Sequence, residues 1–405
     1  MAPFPKEPGS LMLPRQQVAR PAERPRPSRR LRVVRLYHHL EVGGIESRLV
    51  DLLPRLDREL FDVQLICTRR RGPLAPKMEQ RGIPVRLCRH HSKLPLLLST
   101  LPLTRLLRRL EADIVHGHNE TPAQAATVAA QRARVPIIIA NFHNVDLFQA
   151  TGQLRRERKQ SPDRDAVIHV SQRARTDYLE RVRPTRHSSV VIYNGVDIGH
   201  FSTSPGEERL EALGRELQVE GRRPVLLSAA RLNRHKAHGD LLTAFAEVRE
   251  AFPRAVLLLA GEGRRREEIE AMVLRRGLQG AVRLIGNRRD IRDLYHLADV
   301  NTLSSTREGF SNVVLEAMAA GLPQVVTDVG GNREATGDSG AVLLVPPRDP
   351  STLAAELRRV LERPELARSM SVAARKQVQR FSVEEQVAQT EQLYLGLARR
   401  KGLID

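Results

Sequence analysis

The chain has 405 residues, 41% of them hydrophobic, enough for two ordinary domains with real cores. Its 66 basic and 47 acidic residues leave a formal charge of +19, so the partners to expect are anionic: a nucleotide diphosphate, an anionic membrane surface or a nucleic acid. Aromatics at 3% with no Trp deprive a single-strand nucleic-acid binder of stacking platforms, no apolar run reaches the length of a membrane span, and Cys67 and Cys88 fit no metal or redox spacing, as in a reduced cytoplasmic compartment.

Residues 1–30 are rich in Pro and Arg without periodicity and read as a disordered basic tail, inert or surface-seeking. From Leu31 the pattern is strand, glycine turn, helix: Leu31–Tyr37, then Glu41–Glu46, then Ser47–Leu56. Apolar runs at Phe61–Cys67, Val85–Cys88, Ile114–Gly117, Ile137–Asn141, Ala166–Val170 and Val190–Ile192 continue as strands with helical segments between most of them. Lys93–Leu110 mixes leucines with Arg105, Arg108 and Arg109; the leucines either pack in a core or dip below anionic head groups.

A second series begins after Tyr193–Asp197. Its strands are Pro224–Ala229, Ala255–Ala260, Val282–Ile285, Val300–Leu303, Gln324–Thr327 and Ala341–Val345. Its helices are Gly239–Ala251, Arg265–Arg275, Ile291–Leu297 and Ser311–Ala320. Buried β-branched strands alternating with helices predict an α/β protein with two parallel, doubly wound sheets. The domains run over residues 31–200 and 201–382, and a last helix near Val383–Arg400 packs back across them. Ligands of such sheets bind beyond the carboxyl ends of the strands, so two facing sheets make a cleft.

The strand ends carry the chemistry. Glu308 and Glu316 flank a helix start whose N-cap is Ser311 or Asn312, with Gly321 and Pro323 as its stop. Backbone N–H groups from Gly309 through Phe310 and Ser311 to Asn312 then face one way and attract phosphate. Two carboxylates beside such a nest suit the hydroxyls of a sugar nucleotide, although capping and solvation explain either glutamate alone. Arg231 and Lys236 follow a strand and suit a diphosphate, one as a fork and one as a point charge. Gly43-Gly44 permits close backbone approach, or forms only a tight turn. Gly261-Glu-Gly263 begins a dinucleotide fingerprint, but Arg266 stands where the third glycine belongs, which counts against an NAD enzyme. His116, His118 and His143 also follow strands; no carboxylate or cysteine completes a metal spacing, so a histidine touching a sugar hydroxyl is the functional reading and a structural histidine the plain one. Asp163-Arg-Asp165 matches a short acidic motif of metal-dependent sugar transferases, yet it precedes a strand and reads as a loop.

In this order Gly43-Gly44, Arg231 and Lys236, Gly261-Glu-Gly263, the Glu308/Glu316 pair with Ala317-Met-Ala-Ala-Gly-Leu-Pro323, and Gly330-Gly-Asn-Arg-Glu334 resemble the retaining GT-B glycosyltransferases of family 4, the group 1 type. The resemblance spans about residues 31–395 and is strongest from Pro224 to Pro347. It implies two Rossmann-like domains and a UDP- or GDP-sugar donor in the second. Arg231 and Lys236 would hold the diphosphate, Glu316 the ribose, and Glu308 with Gly309–Asn312 the donor sugar. Gly286 and Asn287 would border the base, and His143, with His118 as competitor, would stand beside the transferred sugar. It further implies no metal or other cofactor and a glycan or glycolipid acceptor. The rivals are an epimerase or phosphorylase on the same fold, a non-catalytic transferase subunit, and a basic nucleic-acid-binding protein, whose binding would be steeply salt-dependent.

Overall fold

A computed structural model describes residues 29–41, 43–89, 96–145, 147–185 and 188–405. The basic tail up to residue 28 and the start of the Leu/Arg segment lie outside the described residues. Arg29 belongs to the first domain, because its guanidinium forks onto Asp113 at 2.6 and 2.7 Å.

Apolar β-branched runs become the strands, in chain order β1 Leu31–Tyr37, β2 Phe61–Cys67, β3 Val85–Leu87, β4 Ile114–His118, β5 Ile137–Phe142, β6 Ala166–His169 and β7 Ser188–Val191. The second domain contributes β8 Val225–Ala229, β9 Val256–Ala260, β10 Val282–Gly286, β11 Val300–Leu303, β12 Gln324–Thr327 and β13 Leu343–Val345. The first sheet runs β3-β2-β1-β4-β5-β6-β7 and the second β10-β9-β8-β11-β12-β13, with every ladder parallel. β8 and β9 are buried along their whole length, as strands covered on both faces must be. In each sheet the order reverses beside the first strand, between β1 and β4 and between β8 and β11. Such switch points open a crevice at the strand ends. The chain is thus an α/β protein of two Rossmann-like, doubly wound units, the GT-B architecture.

The first helix begins at Gly44, three residues before the expected start, because Gly43 is extended (φ −173°, ψ 163°) and serves as its N-cap. It stops at Leu52, where Pro54 draws the chain into a 3-10 turn over Leu53–Arg55. Leu103 and Leu107 of the helix Leu101–Arg109 are buried against the first sheet, so these leucines pack in the core; Leu98 and Leu101 stay exposed. The last helix, Val383–Arg400, returns to the first domain, where Val383, Val387, Leu393, Tyr394, Leu395, Leu397 and Ala398 join the core. The chain crosses back where Val196 N–H donates to Phe381 O at 2.8 Å and Val383 N–H to Val196 O at 2.9 Å.

Candidate active site

Beyond β8, Asn233 Oδ1 accepts from the N–H groups of His235 and Lys236 at 3.0 and 3.2 Å and closes a single turn. That turn delivers Lys236 Nζ to Glu308 Oε1 at 2.5 Å, and Ser305 Oγ donates to the same oxygen at 2.6 Å. Glu308 lies on the loop between β11 and the helix Asn312–Ala320, so its carboxylate is fixed from two sides. Ser311 is the N-cap (φ −78°, ψ 112°), but its side chain makes no capping hydrogen bond. The positive end of this helix's macrodipole lies at the cleft, where Ser311 and Asn312 are among the lining residues. Gly321 closes the helix with φ 75°, the left-handed conformation expected of it. Within the helix, Glu316 accepts from Tyr295 Oη at 3.0 Å and lies 3.4 Å from Arg48 Nη2 of the first domain. Burial lifts the Glu316 carboxyl above its ordinary value, opposed by the Arg48 charge.

The opposite wall carries a histidine stack. His143 follows β5, and its Nε2 is shared between Tyr37 Oη at 3.1 Å and His118 Nδ1 at 3.0 Å. His118 stacks on His116 with ring centroids 4.3 Å apart, and His116 Nδ1 meets Tyr394 Oη of the last helix at 2.7 Å. Burial, reinforced by the charge of Arg35, drives His143 down to about 3, and it lowers His116 and His118 as well. All three imidazoles are neutral at physiological pH.

The walls touch. A Cβ on Gly309 would lie 1.9 Å from the carbonyl oxygen of His143, so only glycine lets the Glu308 loop meet the His143 loop. Ser171 Oγ donates to Gly309 O at 2.9 Å. Glu334, the last residue of the Gly330–Glu334 motif, accepts from the N–H groups of Gln172 and Arg173 at 2.7 and 2.8 Å and from Tyr193 Oη at 3.0 Å. It caps a helix of the other domain and so ties the two together. Arg231 reaches across to Glu46 at 3.0 Å, and a Cβ on Gly43 would strike the Arg231 guanidinium at 1.9 Å.

One cleft of about 1300 Å³ gathers most of the expected residues. Gly43, Arg231, Lys236 and Asn287 line it beside Glu308, Gly309, Phe310, Ser311, Asn312 and Glu316, and His143 stands opposite. Gly44 opens the first helix, and Gly286 ends β10 with φ 69°, turning the chain toward Asn287. His118 takes a different place: it is 2% exposed and sits one layer behind His143, which it holds. Asp165 is structural, its carboxylate accepting from Ile138 N–H at 2.8 Å and pairing with Lys401 at 2.7 Å. Glu46, Arg48, Tyr37 and Tyr295 escaped the sequence reading. Glu46 closes the first strand's glycine turn and Arg48 follows it, and the strand-end rule that found Arg231 reaches them too.

The helix start, two cations and paired carboxylates meet in this one cleft, and comparison with known proteins gives the class of the chain. Residues 211–377 match the model described as glycosyl transferases group 1, and residues 42–200 match glycosyltransferase family 4. Together they take in most of the chain, which belongs to this glycosyltransferase family. Among curated relatives, a D-inositol 3-phosphate glycosyltransferase of Kineococcus radiotolerans is 28% identical over 385 residues, 84% of this chain and 87% of the relative. A glycogen synthase of Mycobacterium tuberculosis is 29% identical over 304 residues, 72% of this chain and 70% of the relative. The fold is shared with Anabaena HepE, solved in complex with UDP-glucose: TM-score 0.78, 24% identity, 90% of this chain and 99% of that one.

Proposed function

We propose that the chain is a retaining, metal-independent hexosyltransferase that moves a sugar from a UDP- or GDP-sugar to a glycan or lipid-linked acceptor of the cell surface, acting in the cytoplasm. The observation that carries this reading is the contact of Gly309 with the His143 carbonyl, which sets Glu308, the helix start and His143 around one point in the cleft. In this assignment Glu316, held by Tyr295, accepts the ribose hydroxyls, and Asn287 borders the base. Arg231 and Lys236 exchange their carboxylate partners for the diphosphate, joined by the N–H groups of the helix Asn312–Ala320. As the bond to the anomeric carbon breaks, negative charge grows on the leaving diphosphate, where these groups are already oriented. The sugar passes through an oxocarbenium-like state. The acceptor hydroxyl attacks on the leaving-group face and gives its proton to the departing phosphate oxygen. Glu308 and the neutral His143 orient the sugar hydroxyls, and the touching walls exclude water that would otherwise hydrolyse the donor.

No helix among the described residues is long and apolar enough to cross a membrane. The exposed Leu98 and Leu101, near Arg105 and Arg109, support peripheral contact with an anionic surface where a lipid-linked acceptor is presented. The test of the donor assignment is a thermal-shift series with UDP, GDP, ADP and their sugar conjugates, run beside Glu316→Ala. Stabilisation by one nucleotide family, lost in the variant, is the expected result. No shift with any of them at millimolar ligand and low salt overturns the reading.

A further inference from the structure

Beside His143, strands β1, β4 and β5, the first helix and the last helix border a cavity of about 30 Å³ lined by Arg35, Arg48, His116, His118, Asn141 and Thr390, of which Arg48 is already paired with Glu316. That is room for one or two bodies the size of a water molecule. Arg35 faces it from β1, in register with His116 of β4, and is only 3% exposed. Its Nη2 lies 3.1 Å from His116 Nδ1, while Nη1 has no partner. A guanidinium does not give up its proton at physiological pH. No carboxylate among the described residues forms an ion pair with Arg35, although a buried charge is costly unless it is paired. Its other polar neighbours, His116 and the Tyr394 hydroxyl with which it shares a hydrogen bond, carry no countercharge. His116 Nε2 and His118 Nε2 are buried without partners, and the imidazoles are neutral.

A fixed positive charge, spare N–H donors and a space this small make a receptor for one negative ion. We propose that this cavity binds a single small monovalent anion of halide size, held by Arg35 and by an imidazole N–H of the histidine stack. Phosphate, sulfate and carboxylate ligands are too large for the space. The anion also has a route to the chemistry: it offsets the Arg35 charge that helps hold His143 neutral, and so tunes an imidazole on the wall of the cleft. The proposal is independent of which donor the cleft takes.

The test uses the full chain without substrate. Thermal unfolding is followed at constant ionic strength while sodium gluconate is replaced stepwise by sodium bromide, and crystals grown in bromide are measured for anomalous scattering. The expected result is a saturable rise of the melting temperature with bromide, an anomalous peak at hydrogen-bonding distance from Arg35 Nη1, and loss of both in Arg35→Met. Identical melting in the two salts, or anomalous peaks confined to surface arginines, overturns the proposal. If Arg35→Met fails to fold, the position of the wild-type peak decides alone.

Discussion

The two walls of the cleft solve the problem of buried polarity in opposite ways. The second-domain wall presents full charges that are neutralised while no ligand is bound, Lys236 by Glu308 of the same wall at 2.5 Å, and Arg231 and Glu316 from across the cleft by Glu46 at 3.0 Å and Arg48 at 3.4 Å. The first-domain wall is a stack of neutral imidazoles tied to Tyr37 and Tyr394. Charges that trade partners suit a diphosphate that arrives and leaves. Neutral groups held by stacking and hydrogen bonds suit a sugar, which needs orientation rather than countercharge. The walls should therefore fail differently under mutation, acid and donor binding.

The largest effect should come from breaking the charged wall at its centre. Glu308→Gln keeps the shape and the hydrogen bond from Ser305 but removes the charge that, in the proposed assignment, orients the sugar hydroxyls. We expect kcat to fall by about 100-fold or more, with the melting temperature nearly unchanged. Steady-state kinetics with the donor identified by thermal shift would show it; a variant of wild-type kcat would take Glu308 out of the site. Lys236→Met should match that loss in kcat, because the leaving diphosphate then lacks its nearest point charge.

Acid should break the other wall. His116 and His118 are 0% and 2% exposed and have proton affinities well below that of a free imidazole, as has His143 at about 3. In the unfolded chain they titrate near about 6.5. The unfolded state thus binds more protons than the folded one below that pH, so this stability is complete above about 6.5 and is lost as pH falls toward 3. The two fully buried rings alone give a slope of up to about 3 kcal/mol per pH unit. Urea unfolding at pH 7, 6 and 5 measures it. A flat profile across that window would mean that the stack is protonated or open in the folded protein.

How much of this was legible follows the same division. The second-domain wall is local in sequence: Arg231 and Lys236 sit on one strand end, and Glu308 and Glu316 flank one helix start, so strand, cap and glycine signals recovered it. The first-domain wall depends on register between strands far apart in the chain. Arg35 meets His116 only because β4 pairs with β1, and Tyr394 reaches His116 only because the last helix returns to the first domain. No local pattern encodes either contact. That is why His118 was read as a competitor of His143 rather than as its support, and why Tyr37 was read only as the end of a strand. The first helix was misplaced for a smaller reason: Gly43-Gly44 was treated as a turn, whereas Gly43 is already the extended cap and Gly44 the first helical residue.

The smallest effect sharpens the comparison at the one place where a charged group leans on a neutral one. Tyr295 Oη donates to Glu316 at 3.0 Å, while Arg48 approaches the other carboxylate oxygen from across the cleft. In the proposed assignment Glu316 accepts ribose hydroxyls, which requires its orientation to survive the loss or rearrangement of the Arg48 contact. Tyr295 lies in the second domain with Glu316, and its hydrogen bond needs no change of partner when the cleft rearranges. Tyr295→Phe removes a hydrogen bond worth about 0.5–1.5 kcal/mol, which corresponds to a weakening of nucleotide affinity by roughly 2- to 10-fold, with kcat little altered. Titration calorimetry with the nucleotide diphosphate measures this. An unchanged affinity would assign the orientation of Glu316 to Arg48, and the charged wall would then depend on the opposite domain even before the donor arrives.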